Sequence, residues 1–252
     1  MNKYPILLII KFYWFRLLVV STIWFIYDFS TYSFGLYSSQ WLTIILGDSA
    51  PLWKSFGWNT VINLFYVPGA FIGAFLSDWI GPRYCLVLGV WLQAIVGFIM
   101  AGLYRHLNNA AHVGGFVVVY GIFLALGEVG PGDNIGLVAS KTSATSIRGQ
   151  YYGIAAATGK IGAFVGNYLF PIIIADAGDD LIKQGQYPFW GSSSLCIFSG
   201  FIALFLLPHI GQDTITLEDE RFNAYLVEHG YDVGTLGTKE YRQTVAESQT
   251  PY

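Results

Sequence analysis

The chain has 252 residues, of which 54% are apolar, 17% aromatic and only 12% charged, with a formal net charge of −3. An average soluble domain carries roughly 25% charged residues, so a water-covered surface is excluded and lipid is the solvent that fits. Residues 209–252 hold eight of the 16 acidic and three of the 13 basic side chains, leaving ten basic against eight acidic ones in residues 1–208; that distribution offers no basic patch for nucleic acid and no charge-based docking on anionic lipid.

Residues 1–15 read as a cytosolic linker or interfacial segment. Their apolar run, Pro5–Ile10, is short, lies between Lys3 and Lys11 and has no small-residue cleavage site, unlike a secretory signal. A helix needs about 20 mostly apolar residues to cross the hydrocarbon of a bilayer. Six stretches reach that length, at about 16–38, 57–77, 84–105, 114–139, 149–175 and 188–208. Lipid offers backbone groups no partner, so these runs must be helices. The expected fold class is therefore all-α integral membrane, a six-helix transmembrane domain over residues 16–208 followed by an acidic cytosolic tail at 209–252.

Short-loop cations orient the bundle. With a cytosolic N-terminus, Lys3, Lys11, Arg16, Arg83, Lys141 and Arg148 lie inside, while Lys54, Arg105 and Lys183 lie outside with Asp48, Asp176, Asp179 and Asp180. Both termini are expected in the cytosol. Gly69/Gly73, Gly149/Gly153 and Gly162/Gly166 are each four apart, a spacing that lets helices approach closely. Cys85 and Cys196 lie inside apolar runs and read as buried small hydrophobes, not a disulfide or a metal site. In the tail, Thr216 followed by Glu218, Asp219 and Glu220, then Phe222, Tyr225 and Leu226, predicts a short amphipathic helix against the cytosolic face, with disorder beyond Gly230.

An ionisable side chain inside a span is costly and marks function by default. Four are present: Asp28, Glu128, Asp133 and Lys160. Asp28 follows Arg16 by twelve residues and Lys160 follows Arg148 by twelve, so at about 1.5 Å per residue both stand roughly 18 Å above the cytosolic border. An acid and a base at one level, on the first and fifth spans, should share a cavity; the bland alternative is a structural ion pair. Trp24, Asp28 and Tyr32 are four apart and stack on one helix face. The fourth span carries three glycines and a proline within Gly127–Asn134. Proline removes a helix hydrogen bond and glycine frees the backbone, and interrupted helices point to a transporter's binding site.

Gly73, Leu76 and Asp78-Trp79-Ile80-Gly81-Pro82-Arg83 together resemble the signature loop of the major facilitator superfamily, which follows the second helix of each half on the cytosolic side. That resemblance implies conformational roles for Gly73, Asp78, Gly81 and Arg83, the acid capping a neighbouring helix end or pairing with a base. Trp24-x3-Asp28-x3-Tyr32 and Arg148-x4-Gly153 with Gly159-Lys160 are similar to the seventh and eleventh helices of proton-coupled phosphate symporters. The likeness implies proton coupling at Asp28 and substrate contact by Trp24, Tyr32 and Lys160, to which the broken fourth span adds Asp133 and Asn134 as expected contacts. Gly130-Pro131-Gly132-Asp133, Ser143-Ala144-Thr145 and Lys11-Phe12-Tyr13-Trp14 resemble fungal glycerophosphoinositol and glycerophosphocholine permeases instead, with Gly132 making room where the phosphate symporters carry asparagine.

The resemblance covers residues 4 to about 230 and only the C-terminal half of a family member. It implies a plasma-membrane symporter of glycerophosphodiesters, working with an N-terminal six-helix half, with protons and a small anion as its other partners. No enzyme chemistry, cofactor or metal is expected, since His106, His112, His209 and His229 all fall in loops or the tail. The alternatives are an inorganic phosphate or other organic-anion symporter and a non-transporting fragment or sensor.

Overall fold

The computed structural model describes residues 5–47, 50–211 and 213–233; the disorder expected beyond Gly230 falls, from residue 234 on, outside them. Six stretches are long and apolar enough to cross a membrane by length and composition, and no strand occurs among the described residues.

The first span is α1 (Ile6–Leu46), 41 residues and therefore about 60 Å long, twice what the hydrocarbon requires. The stretch expected as a linker or interfacial segment at 1–15 is helical from Ile6 on. No glycine or proline interrupts 6–34, so the helix runs straight through Lys11 and Arg16. The second span is two helices, α2 (Leu52–Leu64) and α3 (Tyr66–Ile80), where one at 57–77 was expected. Pro68 has no N–H to give Leu64, which is where the first of them stops. The third span, α4 (Pro82–Leu107), begins on proline at its first position, where the missing N–H is harmless.

The fourth span is broken as its glycines and proline predict. α5 (Val113–Gly127) passes through a π turn at Glu128–Gly132, with Gly130 at φ −82°, ψ −105°, into α6 (Asp133–Lys141). The fifth is α7 (Arg148–Asp176) and the sixth α8 (Leu181–Leu206), capped by Asp180 accepting from the backbone N–H groups of Ile182 and Lys183. Those bonds, Lys183's foremost, hold the exposed Asp180 carboxyl below the usual carboxylate range.

α1 packs along α7, and α4 along α8 and α5. The α1–α7 crossing uses Gly162 and Gly166, where a Cβ would lie 2.3 Å from the Phe25 and Phe29 carbonyls. Gly149 and Gly153 face open space, so that pair makes no helix contact. Cys85 and Cys196 are buried and unbridged.

The apolar core is in two parts. One cluster, at the end carrying both described termini, includes Tyr13, Ile23, Leu86, Val90, Tyr151 and Phe222. The other, at the far end, is aromatic and includes Phe34, Trp41, Tyr104, Tyr120 and Phe189. On α1 the first cluster stops at Trp24 and the second starts at Phe29; along the fourth span the far cluster ends at Leu124 and the near one begins at Ile135. Asp28 and the helix break thus occupy the same seam. Across the near end lies α9 (Thr214–Glu228), the amphipathic helix expected in the tail, with Phe222 and Leu226 buried.

Candidate functional site

Asp28 comes from the middle of α1 and Lys160 from the middle of α7, and the two meet at one level, as their equal spacing from Arg16 and Arg148 predicts. Lys160 Nζ donates to Asp28 Oδ2 at 3.1 Å and to the Tyr32 hydroxyl, and lies 4.2 Å from the centre of the Tyr32 ring. The acid is buried, its side chain 3% exposed, whereas the lysine side chain is 59% exposed. An ammonium has three donors, so two bonds here leave one for a ligand. The pair is thus a buried carboxylate neutralised by a cation whose head stands at the wall of an open space.

That space is a cavity of about 580 Å³ at the seam, with Trp24, Tyr27, Asp28, Thr31 and Tyr32 of α1 and Tyr152 and Lys160 of α7 on one side. Gly132, Asp133, Ile135, Gly136, Leu137 and Ser140 of the broken span form the other side. Trp24 is pressed onto α7: a Cβ on Gly159 would lie 2.4 Å from its Cδ1. The ring of Tyr152 meets the indole edge-on, centroids 5.2 Å apart.

The two residues after the break separate. Asp133 lines the cavity and has a buried oxygen, Oδ2, without a hydrogen-bond partner, lying where Gly73 of α3 has no side chain. Asn134, expected as a substrate contact, is not brought to the cavity. It is fully buried, and its amide donates to the carbonyls of Val129 and Gly130 at 2.9 and 2.8 Å, both inside the π turn. Buried carbonyls need donors, and the nearest side chain supplies them.

In the signature loop, Gly81 ends α3 at φ +88°, a left-handed conformation that favours glycine. Arg83, not the acid, takes the helix end: its Nη2 donates to the Leu204 carbonyl in the last turn of α8. Asp78 is exposed and makes no hydrogen bond or ion pair among the described residues, so neither the expected cap nor the expected base pairing is seen there.

Two cavity-side residues escaped the sequence reading. Tyr27 donates to Glu128 Oε2 at 3.3 Å, giving that mid-span acid its partner, and Gly132 leaves them room, since a Cβ there would lie 2.6 Å from the carboxylate. Tyr152 was legible in principle, because it precedes Lys160 by eight residues, the same separation as Trp24 from Tyr32 on α1.

Residues 5–222 match the model of the sugar (and other) transporter family. The chain belongs to that family. Within it, the chain is 54% identical to a major glycerophosphoinositol permease of Candida albicans, over 99% of this chain and 46% of the relative. A glycerophosphodiester transporter of the same organism is 57% identical over 94% of this chain and 44% of its own length, and a glycerophosphocholine permease 55% identical over 94% and 44%. The chain therefore spans about half the length of the curated relatives it matches. Its six spans are those of a major facilitator superfamily chain that is similar to fungal glycerophosphodiester permeases over about half their length.

Proposed function

We propose that the chain is the C-terminal half of a proton-coupled glycerophosphodiester permease. The observation that carries the reading is the Lys160 ammonium, clasped by Asp28 and Tyr32 at the wall of a cavity beside a broken helix. Ionised, Asp28 occupies the lysine and repels an incoming phosphodiester. A proton on Asp28 removes that charge and leaves the full ammonium charge to the anion, so cation and cargo move together. Trp24, Tyr32 and Asp133 shape the remaining contacts. No bond is made or broken in the cargo, so the protein is not an enzyme.

A cavity of this kind lies between two halves, and transport is the rocking of one against the other. The partner is accordingly an N-terminal six-helix half, and exposed Asp78 is placed to engage it as the halves close. Both termini face the cytosol of a plasma-membrane protein, consistent with the bias of the short-loop cations.

Asp28→Asn in the complete permease should abolish proton-driven uptake of glycerophosphoinositol; normal uptake with an unchanged pH profile would remove Asp28 from the mechanism. Lys160→Ala should weaken substrate affinity about 10- to 100-fold, the range for a hydrogen bond to a charged group. Unaltered affinity would rule out the anion contact. Competition by excess inorganic phosphate separates this reading from a phosphate symporter.

A further inference from the structure

The cavity has two chemically different ends. One holds the charges, Lys160 with Asp28 and Tyr32. The other, nearer the described termini, is uncharged and consists of Tyr152, Ser140, Gly136 and Leu137 with the edge of Trp24. Tyr152 precedes Lys160 by eight residues on α7, about 12 Å along the axis and on the same stripe of the helix.

The tandem Tyr151-Tyr152 divides its labour. Tyr151 is buried against Tyr13, and its hydroxyl takes a bond from Thr142, so it belongs to the core. Tyr152 is 39% exposed, lines the cavity, and its hydroxyl makes no hydrogen bond among the described residues. Its ring is nevertheless held from two sides. Trp24 stands edge-on to it at 88°, and a Cβ on Gly136 would lie 3.0 Å from the hydroxyl. Ser140 spends its proton on the Gly136 carbonyl at 2.9 Å and keeps its oxygen lone pairs as acceptors. A fixed phenol with an unspent hydroxyl, beside an acceptor and away from the charges, is built for a neutral alcohol.

We propose that Tyr152 is a specificity-determining residue whose phenol takes a hydroxyl of the substrate's glycerol arm while Lys160 takes its phosphate. This rests on the glycerophosphodiester reading above and adds a second subsite to it. Every glycerophosphodiester carries that diol whatever its head group, so the contact selects the class against bare phosphate.

The test is competition against labelled glycerophosphoinositol uptake by the complete permease. Two competitors are compared: glycerophosphocholine, and propylphosphocholine, which keeps the phosphodiester and head group but lacks both glycerol hydroxyls. In the unaltered protein the propyl compound should compete about tenfold worse, as expected when a polar site meets a ligand lacking its hydroxyl. Tyr152→Phe keeps the ring on Trp24 and should shrink that gap to about twofold, by weakening glycerophosphocholine alone. A gap that persists in Tyr152→Phe overturns the proposal, and so does parallel weakening of both competitors, which marks a packing role. Failure of the unaltered permease to take up glycerophosphoinositol overturns the parent reading and this one with it; uptake with an unmoved gap overturns this one alone.

Discussion

Three side chains on α1 and two on α7 do most of what the site can do, and small residues opposite them decide whether they can. Gly159 is the clearest case, because a single added carbon would lie 2.4 Å from Trp24 Cδ1 and 2.9 Å from its Nε1. Gly159→Ala should force the indole into the cavity, cutting uptake at least tenfold while costing about 1–3 kcal/mol of stability by overpacking. Gly149→Ala, on the same helix with nothing within 4 Å, serves as the control and should leave uptake kinetics unchanged. Equal losses in both variants would show that the helix, not the indole, is sensitive. Asn134 illustrates the limit of reading single residues. Its place at the helix break suggested a ligand contact, yet one step along a helix from Asp133 turns a side chain by about 100°, and here that step leads from the cavity into the backbone of the break.

At the scale of elements, the tail helix α9 is more than an appendage. Glu218 is 3% exposed and accepts from the Tyr13 hydroxyl at 2.9 Å and from Arg16 Nη1 at 2.5 Å. Tyr13 in turn takes the backbone N–H of Ala144, while Asp219 receives the N–H and hydroxyl of Thr145. One turn of α9 thereby joins the start of α1 to the segment between α6 and α7. Phe222 is fully buried against Phe12 and Tyr13. Phe222→Ala should cost about 3–5 kcal/mol, the range for emptying a buried phenylalanine site. Hydrogen exchange would then show protection lost over 214–228 while the spans stay protected; unchanged protection of α9 would mean that the helix is held by its polar contacts alone. The sequence announced the helix and its apolar stripe, but took Glu218 only as one of the acids that mark a helix start. A carboxylate is counted as surface unless its partners are known, and Tyr13 and Arg16 lie some 200 residues away.

For the molecule as a whole, the uneven surface is the main physical fact. Asp28 is sheltered, but the Lys160 head and the Tyr32 ring stand open on one side of the bundle. An ammonium left facing hydrocarbon is costly, so that side calls for a covering surface. The 252-residue chain by itself should therefore give no glycerophosphodiester uptake in proteoliposomes, and co-expression with an N-terminal six-helix half should restore it. Uptake by the chain alone would dispose of the two-half reading.

The sequence by itself determined the solvent, the number of spans, the break in the fourth span, and the level shared by Asp28 and Lys160. Each of these follows from hydrophobicity, backbone chemistry or the rise per residue, quantities local to a stretch of chain. Only the tertiary structure decided that Asp28 and Lys160 touch, that Asn134 braces while Tyr152 faces the cavity, and that Arg83 holds the end of α8 while Asp78 stays exposed. The Asp28–Lys160 and Arg83–Leu204 contacts join partners more than a hundred residues apart, and the directions in which Asn134 and Tyr152 face depend on helix azimuth, which packing selects.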